Sequence, residues 1–68
     1  MQFETVKDII KYAIAREIEA AEFYEDASQQ EMFSGSREML LEFVQQERKH
    51  QAMLEKLLEG GIDRAYGT

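Results

Sequence analysis

Glu17, Glu47 and His50 are the residues of this chain whose types and spacing could do chemistry. Glu17 lies among Val6, Ile10, Ala13, Ile14, Ala20, Ala21 and Tyr24, which recur at helical spacing. Glu47 and His50 lie in the same way among Leu40, Phe43, Val44, Leu54, Leu57 and Leu58. An ionised carboxylate facing a dry interior is costly unless a counter-charge or a cation meets it. The Glu-x-x-His spacing sets an oxygen and a nitrogen ligand on one helical face, close enough for one ion. Two stripes with the same conflict point to one shared remedy, a bound metal.

Two long helices and a short turn must position these groups. Thr5, with Asp8 three residues on, resembles a capping box in which Asp stands in for Glu. The first helix then runs from about residue 5 to about residue 30, since no proline occurs and the first glycine is Gly35. Ser34, Gly35 and Ser36 belong to a turn at about 31–36, where a serine caps the second helix. The second helix covers about 36–59 and stops at Gly60 and Gly61. Residues 1–61 thus form one all-α antiparallel hairpin, and 62–68 a tail.

Periodicity shows which sides face inward. At about 100° per residue, Val6, Ile10, Ala13, Glu17, Ala21, Tyr24 and Ser28 share a narrow arc of the first helix. Leu40, Phe43, Glu47, Gln51, Leu54 and Leu58 share one on the second, with His50 on its flank. A lone hairpin buries only part of each stripe and cannot surround a charged centre. Two hairpins in a four-helix bundle do both, so the chain is expected as a homodimer or higher homo-oligomer. A second apolar strip, Ile9, Tyr12 and Phe23 with Ala20 and Ala27 beside it, either broadens the buried face or joins dimers into a larger assembly.

One hairpin offers two carboxylates and one imidazole, too few for a two-metal centre. Doubling gives four carboxylates and two imidazoles, the ligand set of di-iron carboxylate bundles. Four carboxylates also neutralise two divalent ions. Mixed oxygen and nitrogen donors suit iron or manganese better than calcium, with zinc and copper open on affinity alone.

Composition sets outer bounds. The chain has 68 residues, no cysteine and a formal net charge of -6. Disulfides and thiolate zinc sites are excluded, and the acidity argues against a nucleic-acid partner. No run of residues is apolar enough for a membrane span, and cytoplasmic residence is the plain expectation.

Taken singly, each residue has a plainer role. His50 could be a hydrogen-bonded boundary histidine, Glu17 an ion-pair partner of Arg16 or Arg48, and Tyr24 a core aromatic. The combination favours metal.

The stretch Glu17-Ile18-Glu19-Ala20-Ala21-Glu22-Phe23-Tyr24, followed by Glu47-Arg48-Lys49-His50, closely resembles the ferritin-like superfamily. The likeness is to the rubrerythrin branch and to the short, two-helix encapsulated ferritins, and it covers most of residues 5–59. It implies metal-ligand roles for Glu17, Glu47 and His50, and a supporting role beside the ligands for Tyr24. It also implies a di-iron centre shared by two chains, with manganese or zinc as substitutes. The further partners it implies are an encapsulin shell or an external electron donor, and residence inside a protein nanocompartment in the first case. Two departures stand against the closest match: the tail after Gly61 has no evident extra helix or shell-targeting peptide, and without cysteine there is no rubredoxin-type module.

The activity expected is ferroxidase-type iron oxidation or peroxide-linked oxidoreduction. In that reading Glu47 and His50 are terminal ligands and Glu17 is a bridge, while Glu19 and Glu22 either line an approach path or are simply solvated. The competing readings are a non-catalytic metal-binding module, a structural dimerisation hairpin, and a fragment of a longer rubrerythrin-like protein.

Overall fold

A computed structural model of the chain describes residues 5–60. Two α-helices make up nearly all of them, α1 (Val6–Gln30) and α2 (Ser34–Gly60), packed against each other as an antiparallel hairpin. Gly61 and the 62–68 tail lie outside the described residues. None of the helices described is long and apolar enough to cross a membrane.

α1 starts where the cap was expected. Thr5 is extended, at φ -139° and ψ 164°, and its Oγ1 accepts a hydrogen bond from the Asp8 backbone N–H at 3.1 Å. That bond satisfies one of the donors a helix start leaves open, and Asp8 adds negative charge in the first turn.

The turn differs from the sequence expectation. It comprises Glu31–Phe33, and Ser34, Gly35 and Ser36 already belong to α2, which begins two residues earlier than expected. The cap position before Ser34 is held by Phe33, not by a serine: its carbonyl accepts the first α2 bond, from Arg37 N–H at 2.9 Å. Charged side chains close this turn. The Phe33 N–H donates to Glu31 Oε1 at 3.2 Å, and Arg37 Nε donates to the Glu31 carbonyl at 3.4 Å. A guanidinium brought back from the first turn of α2 thus serves a carbonyl that α1 leaves without a partner. α1 ends because Glu31 turns extended, at φ -78° and ψ 129°.

The seam between the helices is built from small groups. Ala21 is fully buried and Ile10 nearly so, and they are the only buried apolar residues described. Ser28 is buried too, and its Oγ donates to the Glu25 carbonyl of the previous turn at 2.7 Å. α2 has no buried residue at all. Leu40, Phe43, Val44, Leu54, Leu57 and Leu58 face α1 half-buried, as the periodicity required. Val6, placed in the inward arc, is 45% exposed because it stands at the open end, where α2 covers it poorly.

Candidate metal centre

α1 and α2 bring Glu17, Glu47 and His50 together midway along the hairpin. Glu47 and His50 are one turn apart on α2, and Glu17 faces them across the seam from α1. His50 Nδ1 lies 3.3 Å from Glu47 Oε1 and 3.5 Å from Glu17 Oε2. One donor atom from each of the three lies within 4.8 Å of the others. The two carboxylates are half-buried, while the imidazole lies at the open edge of the group.

No arginine or lysine among the described residues pairs with these carboxylates. Arg16, one of the two cations the sequence offered to Glu17, is bound to Glu19 on the outer side of α1. Its guanidinium also stacks over the Tyr12 ring, 5.2 Å from the centroid. Arg48, the other, donates to Gln51 Oε1 at 2.9 Å. Glu17 Oε2 is therefore buried without a hydrogen-bond partner among the described residues. An orphaned acceptor of this kind costs roughly 1–3 kcal/mol, and more when charged.

A divalent cation fits this donor set. Oxygen and nitrogen donors at about 2.0–2.2 Å from one ion stand roughly 2.8–3.1 Å apart along the edges of an octahedron and roughly 3.3–3.6 Å apart along those of a tetrahedron. The 3.3 and 3.5 Å separations from His50 Nδ1 match the tetrahedral edge. Two carboxylates and one imidazole leave coordination positions around an ion open.

Aromatic rings wall the group on the side toward the turn. Tyr24 of α1 lies across the seam on Phe43 of α2, with centroids 5.2 Å apart, and its edge meets Phe23 at 5.6 Å. Phe43 is one turn before Glu47 on the same face. The Tyr24 hydroxyl makes no hydrogen bond with a described residue, so the chain does not itself join Tyr24 to the ligands. Glu19 and Glu22 are exposed and away from the three ligands.

Gln51 stands one turn after Glu47 and was expected only as an inward-facing residue. Its amide is held at both ends, accepting from Arg48 and donating to Glu55 Oε2 at 3.1 Å. The Arg48–Gln51–Glu55 spacing is a common helical pattern, and nothing in the sequence alone marked it. Its effect is to hold Arg48 back from the carboxylates.

Compared with models of protein families, residues 2–59 match the one described as rubrerythrin. Neither the curated proteins nor the solved structures contain a match.

Proposed function

Because the chain belongs to the rubrerythrin family, we propose that it holds a pair of iron ions in a centre completed by a second copy, and uses them to oxidise ferrous iron or to reduce peroxide. The observation that carries this reading is the buried Oε2 of Glu17, which accepts no hydrogen bond, set beside Glu47 and His50 with no arginine or lysine paired to either carboxylate among the described residues. A folded chain tolerates that arrangement most easily when a cation occupies it.

Bound iron supplies the redox step, since a pair of ferrous ions can give two electrons to oxygen or peroxide. The protein supplies the rest. Glu47 and His50 would hold iron from a single helical face, and Glu17 would add its carboxylate from across the seam. Phe43 and Tyr24 keep water from the turn side of the ligands. The exposed edge of His50 leaves a path for small reactants. These 68 residues contain no cysteine, so electrons for peroxide reduction come from outside them. An encapsulin shell belongs to the same proposal as a container for the oxidised iron.

Elemental analysis and native mass on one sample, followed by oxygen uptake on adding ferrous ion, test this reading. Two irons per two chains with rapid uptake are expected. A monomer that binds no iron overturns the proposal. An iron-loaded dimer without oxygen uptake replaces it with the binding-module reading.

A further inference from the structure

Arg48, Gln51 and Glu55 form a line of hydrogen bonds along the flank of α2. The Arg48 guanidinium donates to Gln51 Oε1 at 2.9 Å, and Gln51 Nε2 donates to Glu55 Oε2 at 3.1 Å. Spacings of three and four place the three residues on one side of the helix. By rotation they stand about 40–100° from Glu47, while His50 stands about 60° from it in the opposite sense. The imidazole and the guanidinium thus flank Glu47 on opposite sides.

The direction of these bonds matters. An ionised Glu55 only accepts, so it turns the nitrogen of the Gln51 amide toward itself and the oxygen toward Arg48. A neutral amide then anchors the guanidinium without cancelling the charge of any metal ligand. Gln51 is half-buried and Arg48 exposed, so the amide stands nearer the seam than the arginine it holds.

Arg48 is the cation whose capture by the ligands would matter most. Arg16 is taken by Glu19 on the outer side of α1. Arg48 follows Glu47 directly, at the level of the ligands, and a guanidinium grips a carboxylate through two parallel N–H donors. Side chains of adjacent helical residues diverge, so its target is not Glu47 but Glu17 across the seam. The buried Oε2 of Glu17 accepts no hydrogen bond and would be satisfied by the arginine as well as by an ion. An ion would then have to displace the arginine.

We infer that Gln51 is a positioning residue of the metal centre: by anchoring Arg48 through an amide that Glu55 orients, it keeps the guanidinium off Glu17 and leaves that carboxylate to a cation. Gln51 acts here through Arg48 and is not itself a ligand. The inference rests on the metal centre proposed above and adds the residue that sets its affinity.

Manganous ion titrated into the full chain, with electron paramagnetic resonance counting the free ion, gives an affinity without turnover. Gln51→Leu keeps most of the side-chain bulk and removes the acceptor. Its dissociation constant should rise on the order of tenfold, since a charge-assisted bond must break before metal enters. Gln51→Glu keeps an acceptor for Arg48 and should bind at least as tightly as the wild type. Arg48→Gln removes the competitor and should lie within about twofold of the wild type, and adding it to Gln51→Leu should restore that affinity. The rescue separates the two explanations, because a site distorted by leucine stays weak when Arg48 is replaced as well.

Equal manganese affinity in the wild type and Gln51→Leu overturns the proposal and leaves the metal centre standing. So does a weakened Gln51→Leu that Arg48→Gln fails to rescue, or a Gln51→Glu as weak as Gln51→Leu. A wild-type chain that takes up neither manganous nor ferrous ion overturns both.

Discussion

Replacing Glu17 by glutamine separates a ligand from a structural carboxylate. The substitution keeps the two methylenes and the shape of the side chain and removes the charge. In the metal-free protein the buried Oε2 has no hydrogen-bond partner among the described residues, and the Glu17 side chain is 23% exposed. An unsatisfied buried acceptor costs roughly 1–3 kcal/mol, and this much solvent access places Glu17 at the lower end, about 1 kcal/mol per chain. Glutamine keeps an oxygen acceptor there but not its charge, so Glu17→Gln should stabilise the metal-free protein by at most about that amount, a rise in Tm of no more than roughly 4–8 °C for a domain of this size. The metal response should move the opposite way. Ferrous or manganous ion at about 100 times its dissociation constant stabilises a wild-type site by roughly 2.7 kcal/mol, a rise of some 10–20 °C on the same scale. The glutamine variant should lose nearly all of that rise. Thermal melts with and without metal, at one fixed protein concentration, give both numbers. A lower metal-free Tm together with an undiminished metal response would refute the reasoning, since Glu17 would then be a packing residue and the ligands would lie elsewhere.

His50→Ala should abolish iron binding while leaving helicity intact, and Glu19→Ala should keep full iron stoichiometry because its side chain lies on the outer face; elemental analysis of the purified variants decides both. Ala21→Leu should cost about 1–3 kcal/mol in denaturant melts, because a fully buried methyl at the seam has no room for three more carbons. The same variant should weaken metal binding by spreading Glu17 from Glu47. Gly35→Ala should stabilise by roughly 0.5–1 kcal/mol, since the glycine is helical and an added Cβ meets nothing within 4 Å.

Much of this molecule was legible in the sequence because helical periodicity is a local signal. The inward arcs of both helices and the convergence of Glu17, Glu47 and His50 follow from residue spacing alone, once the helices are known to pair. The turn was less legible. Gly35 and its flanking serines carry the strongest local turn signal, yet they lie inside α2. The actual turn at Glu31–Phe33 has neither glycine nor proline, and is closed by Arg37 reaching back to a carbonyl six residues earlier. Pairing across the seam outweighed local preference there, and no single-residue propensity carries such information. The partners of Arg16 and Arg48 were hidden for a related reason. Each had several carboxylates or amides within helical reach, and only the packed geometry selects Glu19 and Gln51.

The three-residue connection has a kinetic consequence. Contacts across the seam join residues whose separation along the chain grows steadily away from Glu31–Phe33, from Tyr24 and Phe43 near the turn to Glu17 and His50 midway. Loop-closure entropy rises only slowly with such separations, so a refolding chain can zip outward from the turn in small steps. Hydrogen exchange should then be slowest in the half between Tyr24 and Phe43 and fastest near Val6 and Leu58, where fraying begins. The three ligands sit at the border of these halves. A cation that engages them arrests the fraying at its midpoint, and the protection it confers should spread toward the open end while leaving the turn half nearly as it was.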